Sequence, residues 1–427
     1  MDQGKTLLVD GPASIILLSG EVEILGAPIE PNIKMVIRKG KRVPFEVKQR
    51  AELDLTLGEN ATVNEAEAST IPTPWESAAN TVLSHEKPVV VMVMGDVDLG
   101  KTSFCTYLAN KALKETLQVV IIDADLGQSD VGPPTTIGSC RVYKPIRDLF
   151  EMGAENICFV GVTSPSGAAR KVIEALTNIR KKALVNGSDV LIINTDGWVE
   201  GEDAVRYKVV LTERISPNIV IGIQEQNELA PILNALQKIK TVTIQPSSAV
   251  KKRDREGRKL LRELSYKKYL KGAKTETFPL SWIKIADAQF GTGVSTSKER
   301  LIKIQEELGA TPKYCEEKPN SLFIVLGKGQ RTDKELVKEL EKTLDKKVKV
   351  MSEGDEQGLL VALHDKNECF LGIGVLEAID YERRLVKVYT RVKNNVSSIH
   401  TGRINLDKTG KEIGLSETFV DYASSDL

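Results

Sequence analysis

Val89-Val-Val-Met-Val-Met-Gly95-Asp96-Val97-Asp98-Leu99-Gly100-Lys101-Thr102-Ser103 is the stretch that decides the fold of this chain. Residues 89–94 are all apolar and rich in valine, the pattern of a strand buried on both faces. G-x-x-x-x-G-K-T follows at once, and residues 104–113 then carry apolar side chains at helical spacing. Strand, glycine-rich loop and helix in that order make a phosphate-binding loop. Its backbone N–H groups wrap phosphate at the positive end of a helix. Lys101 then places a charge at the β- and γ-phosphates, and Thr102 offers a hydroxyl to Mg²⁺. Residues Gly95 through Ser103 are therefore the expected nucleotide site, with ATP and Mg²⁺ (or another divalent cation) as its occupants.

The next buried strand, Val119-Val-Ile-Ile-Asp123-Ala-Asp125-Leu-Gly127-Gln128, ends in two carboxylates. In open α/β sheets ligands bind at the carboxyl ends of strands. Asp123 and Asp125 lie two apart on an extended chain and so share a side. One can hold the metal shell while the other takes a proton from an attacking hydroxyl; spacing does not assign the two roles. No N-K-x-D follows anywhere, which disfavours a GTPase of the Ras type.

Outward from this centre, residues 88–272 repeat strand, loop and helix. Apolar runs at 157–161, 190–193 and 219–223 and a helical pattern at 168–184 predict a parallel sheet covered on both faces. Residues 1–85 read as β structure, with short apolar or alternating runs at 14–19, 22–25, 35–38 and 53–57 between glycine turns. Residues 273–427 return to mixed, mostly β character, with runs at 322–326, 358–363, 370–375 and 385–389, and read as a barrel-like accessory domain. The expected fold class is α/β: a P-loop NTPase core (86–272) flanked by an N-terminal β-sandwich-like domain (1–85) and a C-terminal mostly β domain (273–427).

Composition sets the limits. With 59 basic and 59 acidic residues the formal charge is zero, so any nucleic-acid surface is a local patch and not a whole-protein field. The five cysteines are scattered without a C-x-x-C pair, and His85, His364 and His400 stand far apart, which argues against a disulfide framework and a structural zinc site. There is no signal-peptide pattern and no apolar run of about 20 residues, so an intracellular chain with no membrane partner is expected.

A basic segment after the last core strand, Lys251-Lys-Arg253-Asp-Arg255-Glu-Gly-Arg258-Lys-Leu-Leu-Arg262, falls where nucleotide kinases carry an arginine lid. Arg258 and Arg262 are four apart and share a helix face. Guanidinium groups there can neutralise a transferring phosphoryl group, an effect of about 10³–10⁵ in rate for an arginine finger.

With these residues in hand, the chain resembles the RNA 5′-hydroxyl polynucleotide kinases. That family includes the kinase subunit of pre-mRNA cleavage and tRNA-splicing complexes, the nucleolar rRNA-processing kinase and compact archaeal members. The resemblance covers nearly the whole chain: the P-loop, D-x-D-x-G-Q with Pro133-Pro134 after it, Thr163-Ser164-Pro165, Asn194-Thr195-Asp196-Gly197-Trp198-Val199, and R-x-x-x-R leading into Tyr269-Leu-Lys-Gly272. It implies ATP-dependent phosphorylation of the 5′-hydroxyl of single-stranded or end-accessible RNA, with DNA as a second acceptor, in RNA processing with protein partners. By the same resemblance Lys101, Asp123, Asp125, Arg258 and Arg262 are catalytic. Thr102 and Asp123 hold metal, and Gln128, Thr195 and Trp198 contact the acceptor end. An archaeal member acts in the cytoplasm, a eukaryotic one in the nucleus. The rival is an ATP-binding structural subunit of an RNA-processing complex that transfers nothing. A mechanical or metal-inserting ATPase finds no support in the residues.

Overall fold

The computed structural model describes residues 1–288, 290 and 293–416. Its contacts divide the chain into two compact units: Met1–Cys158 with Thr163–Leu261, and Phe159–Val162 with the described residues from Arg262 onward.

The first unit opens with β1 (Thr6–Asp10), β2 (Ala13–Ile24), β3 (Ala27–Pro28), β4 (Lys34–Ile37), β5 (Arg42–Leu57) and β6 (Thr62–Ala66). They form one antiparallel sheet in the order β3-β2-β5-β1-β6, with β4 also on β2. The runs at 14–19 and 22–25 are one strand, β2, whose pairing with β5 slips at three bulges. Bulges bend a strand and raise its twist, which lets two strands this long stay in one sheet.

Helix α1 (Thr73–Leu83) leads into β7 (Val89–Gly95), α2 (Lys101–Lys114), β8 (Val119–Ala124), β9 (Thr136–Val142), β10 (Asn156–Phe159), α3 (Ala169–Val185), β11 (Val190–Thr195), α4 (Glu202–Ile215), β12 (Ile219–Ile223), α5 (Ala230–Ala235) and β13 (Lys240–Ile244). The sheet order is β10-β9-β8-β11-β7-β12-β13. Strands β8, β11, β7 and β12 run parallel, as their apolar runs predict, and β13, which no apolar run announces, joins them in parallel at the edge. The departure is β9, which pairs antiparallel with β8. A single hydrophobic cluster joins this sheet to the N-terminal one: Phe45 and Ile24 pack with Trp75, Phe104 and Tyr107. Trp75 is fully buried, meets Phe104 edge-on at 5.2 Å and donates its indole N–H to the Gln245 carbonyl.

Helix α6 (Arg255–Leu270) begins in the first unit and ends in the second. The second unit continues with β14 (Lys274–Pro279), β15 (Lys284–Ala286), β16 (Val294–Ser295), α7 (Lys298–Leu308), β17 (Pro312–Lys318), β18 (Ser321–Leu326), α8 (Lys334–Leu344), β19 (Lys347–Ser352), β20 (Leu359–His364), β21 (Phe370–Asp380), β22 (Leu385–Thr390), β23 (Ser398–Leu406) and β24 (Glu412–Leu415). In place of a barrel there are two open sheets, β14-β22-β21-β20-β23-β15 with β24 on β23, and β16-β17-β18-β19. Ile304, Leu308 and Leu340 of α7 and α8 cover the smaller sheet. Residues 417–427 of the expected C-terminal domain lie outside the described residues.

Candidate nucleotide and phosphoryl-transfer site

The loop between β7 and α2 takes the shape that its glycines permit. Gly100 sits at φ +88°, a left-handed conformation that glycine adopts without strain, directly before the first turn of α2. Asp98 also has positive φ, at +55°. Lys101 is 5% exposed, and its ammonium donates to the Asp96 carbonyl at 2.7 Å, so its charge is held inside the loop. The strand-end segment after β11 presses on this loop: a Cβ on Gly197 would lie 2.5 Å from Val97 Cγ1 and 2.8 Å from its amide nitrogen.

At the end of β8, Asp123 is fully buried. It accepts from the Asp130 N–H at 2.7 Å, the Val131 N–H at 3.2 Å and the Asn194 amide at 2.9 Å. Burial, with Asp130 and Asp125 adding their charge, pushes its carboxyl up to about 7, against those backbone hydrogen bonds. Asp125, two residues on, accepts from the N–H groups of Gly127 and Gln128 at 3.1 and 3.0 Å. Burial raises it too, opposed by the Lys101 ammonium. Asn194, at the end of β11, bridges the two halves of the site: the same amide donates to Asp123 and, at 3.2 Å, to the Thr102 hydroxyl. Its Oδ1 is buried with no hydrogen-bond partner.

Beyond Asn194, the Thr195 hydroxyl is fully buried and donates to the Val93 carbonyl of β7. Its side chain therefore braces the sheet, and only its backbone is left to meet an acceptor. Asp196 accepts from the Trp198 N–H, the Tyr207 hydroxyl at 2.9 Å and the fully buried Lys208 at 3.0 Å. Burial lowers the Lys208 pKa while Asp196 opposes it. Trp198 stacks on Tyr207, ring centroids 5.6 Å apart and planes 26° apart, with part of its surface open.

The basic segment divides. Arg253 pairs with Asp98 at 2.7 Å, and its backbone N–H donates to the same carboxylate at 3.0 Å. Arg258 reaches Asp98 at 3.4 Å and the Arg253 carbonyl at 2.6 Å. Together with Asp96, Val97, Leu99, Glu225, Gln226, Glu228 and Lys252 these residues line a cleft of about 310 Å³ at the outer side of the loop. Arg262 belongs to the second unit, where it forms a two-pronged pair with Glu412 at 2.6 and 2.9 Å.

The fold thus gathers Lys101, Thr102, Asp123, Asp125 and Gln128 around one strand end, and brings Arg258 to the phosphate loop. Four participants escape the sequence reading: Asn194, Asp196, Lys208 and Arg253. The first two lie inside the Asn194–Val199 motif, so the signal was present. Lys208 and Arg253 carry no local signal; only the fold shows a buried lysine behind Asp196 and an arginine on Asp98.

Residues 95–272 match the family described as mRNA cleavage and polyadenylation factor CLP1 P-loop. Over 345 residues the chain is 30% identical to a polyribonucleotide 5′-hydroxyl-kinase of Pyrococcus abyssi, covering 79% of this chain and 93% of that protein. Over 352 residues it is 31% identical to the one from Pyrococcus horikoshii, covering 81% and 93%. A solved Clp1p–Pcf11p complex has a chain of similar fold, with a TM-score of 0.64 at 13% identity over 95% of this chain and 97% of that one.

Proposed function

The chain belongs to the polyribonucleotide 5′-hydroxyl-kinase family, and from that premise we propose that it transfers the γ-phosphate of ATP to the 5′-hydroxyl of single-stranded or end-accessible RNA during RNA processing. What supports the site assignment is the placing of two carboxylates, buried Asp123 and Asp125, at the end of β8 beside the phosphate-loop lysine. A scaffold that merely holds ATP has no use for a second acid poised there.

The donor set fits a divalent cation, Mg²⁺ by its oxygens. Asp123 sits in an excess of negative charge, the Thr102 hydroxyl lies one amide away, and the buried Asn194 Oδ1 has no donor. Thr102 and Asp123 would hold the ion, which when bound draws off charge from the β- and γ-phosphates. Asp123 takes this role because the Asn194 amide ties it to the Thr102 hydroxyl, and no cationic side chain is bonded to it.

Asp125 is then the base: more open than Asp123, two residues on along the chain, and raised above the ordinary carboxylate value by burial. The 5′-oxygen gives its proton to the Asp125 carboxylate and attacks the γ-phosphorus in line. The bond from that phosphorus to the β–γ bridging oxygen breaks, and ADP leaves. Lys101 moves from the Asp96 carbonyl to the phosphates, and Arg258 with Arg253 offers charge at the outer side of the loop. Gln128 and the exposed part of Trp198 meet the acceptor end, where an aromatic face stacks any base at about 1–3 kcal/mol. Arg262 joins the transfer only by leaving Glu412. Arg262→Ala beside Glu412→Gln separates the two roles. A catalytic Arg262 loses turnover in the first variant and keeps it in the second, whereas a structural one lowers stability in both.

An archaeal origin, which the Pyrococcus relatives support, would place this reaction in the cytoplasm. No helix among the described residues is long and apolar enough to cross a membrane. The deciding experiment incubates the purified chain with γ-labelled ATP, Mg²⁺ and a 5′-hydroxyl RNA, with DNA of the same sequence alongside. Label on the RNA 5′ end, absent with Lys101→Ala, is the expected result. ATP binding without label on either strand would move the chain to the scaffold role.

A further inference from the structure

Two of the chain's three histidines, 36 positions apart in sequence (364 to 400), lie side by side in the second unit. His364 ends β20, and His400 stands on β23, the antiparallel neighbour in which Ser398 faces His364 and His400 faces Ala362. A two-residue offset keeps both imidazoles on one face of the sheet, as a diagonal pair. Their ring centroids are 4.3 Å apart. Glu368, in the turn between β20 and β21, brings its carboxylate to His400 Nε2 at 3.1 Å. One ligand atom from each of His364, Glu368 and His400 falls within 4.8 Å of the others. The wide separation that argues against a zinc site in the sequence is closed by strand pairing.

We propose that His364, Glu368 and His400 bind one divalent transition-metal ion, zinc by the character of the donors, with Asp287 orienting His400 from behind. Two imidazoles and a carboxylate are a recurrent zinc donor set, and three protein ligands leave the fourth tetrahedral position to water. Ligand atoms around such an ion stand about 3.3 Å apart, given metal–ligand bonds of about 2.0–2.1 Å. The His400–Glu368 spacing already meets this, and small rotations of the His364 ring and the exposed Glu368 side chain would bring in the remaining atoms, all within 4.8 Å.

The surroundings supply what a metal-bound histidine needs. His400 Nδ1 faces the Asp287 carboxylate at 3.3 Å, the carboxylate–histidine arrangement that fixes the tautomer and leaves Nε2 for a metal. Asp287 follows β15, whose Ala286 lies opposite His400 in parallel pairing, so its position is set by backbone. The Ser398 hydroxyl donates to Glu368 at 3.3 Å and can hold that carboxylate in turn. A neutral imidazole has one N–H for two carboxylates, Asp287 and Glu368. A cation between Nε2 and Glu368 removes the conflict. The competing account is an imidazolium held by both acids, with no metal at all. A serine-hydrolase reading of Ser398, His400 and Asp287 fails on access, because Ser398 is 2% exposed and covered by Glu368.

The test uses the full chain, stripped with a chelator and held in excess Mg²⁺, titrated with Zn²⁺ against a chromophoric indicator and separately with Co²⁺. One equivalent of zinc and the visible bands of four-coordinate Co²⁺ are expected. Exposed Glu368→Ala and His400→Gln should each weaken zinc binding by at least about 10-fold, and Asp287→Asn by about 10-fold. Zinc should raise the melting midpoint of the wild-type chain and leave that of the Glu368→Ala,His400→Gln variant unmoved. Zinc bound equally by wild type and that double variant overturns the proposal, as does binding that is lost in Asp123→Asn. The first result leaves His400 as an ion-paired imidazolium; the second puts the zinc in the nucleotide site.

Discussion

At the end of β8, Asp123 is closed off from water with two neighbouring acids and no cationic side chain bonded to it, and its carboxyl rises to about 7. On β1 of the same unit, Asp10 is also buried, though nearer the surface, and Arg42 grips it at 2.9 Å through two nitrogens, Thr62 donates at 2.8 Å and Lys251 stands at 3.2 Å. Burial raises Asp10 as well, but those donors outweigh it and bring the carboxyl down to about 2. Asp148, held by Lys41 and Arg38, follows Asp10. The same side chain, shielded from water in both places, thus meets two fates. Where the donors are complete, the acid fastens the N-terminal sheet to the P-loop core. Where the donors are only neutral N–H groups, beside the phosphate loop, no cationic side chain offsets its burial, and under the proposed function that acid serves a cation.

The sharpest way to break this contrast is to remove the charge that the site does own. Lys101→Ala should lower RNA phosphorylation by at least about 10³-fold while the fold stays intact, since the hydrogen bond it loses is to a loop carbonyl. A loss below about tenfold would mean that the raised acids serve no transfer.

Next in size is Asp125→Asn, expected to lower kcat by about 10²–10³-fold with the KM for ATP little changed. The pH profile of single-turnover transfer should lose its acid limb in this variant. An equal fall in kcat with the limb retained would transfer the base role to Asp123.

Trp198→Ala probes the acceptor side. Loss of one stacked base should raise the KM for RNA by about 5–150-fold, the equivalent of about 1–3 kcal/mol, with kcat nearly held. Since Trp198 stacks on Tyr207 in this structure, a fall in melting temperature with an unchanged KM would assign it to packing instead.

How much of this was legible beforehand follows from where each signal resides. The P-loop and the strand-end acids lie in contiguous sequence, and four of the five parallel strands announce themselves as unbroken apolar runs; the fifth, β13 (Lys-Thr-Val-Thr-Ile), alternates polar and apolar residues at the sheet edge and does not. Strand β9 did not, because Thr136-Ile-Gly-Ser-Cys-Arg-Val142 mixes polar residues and glycine, and its antiparallel pairing is a property of β8's free edge. Arg253 hid among six other basic residues of one segment; what singles it out is Asp98, 155 positions away. The arginine spacing from 258 to 262 correctly reads as one helix face, but the chain passes from one unit to the other within that helix, and the two side chains bond in different units. Cross-strand partners such as His364 and His400 have no local signature at all.

The smallest effect is also the most direct test of the comparison, because it asks for opposite signs from one substitution. Asp10→Asn removes an acid whose folded pKa lies below its unfolded value. Its stabilisation is present above about pH 4 and fades as pH falls through about 2, so the variant should be less stable at pH 7, by about 1–2 kcal/mol, and match the wild type near pH 2. Asp123→Asn removes an acid whose folded pKa lies above its unfolded value. Ionising it costs stability as pH rises from about 4 through about 7, so in chelator and without nucleotide the variant should equal or exceed the wild type at pH 8 and gain nothing at pH 4. Urea melts at three pH values measure both. If the two substitutions destabilise alike at pH 8, Asp123 is a structural acid like Asp10, and the cation site must be sought elsewhere on the loop.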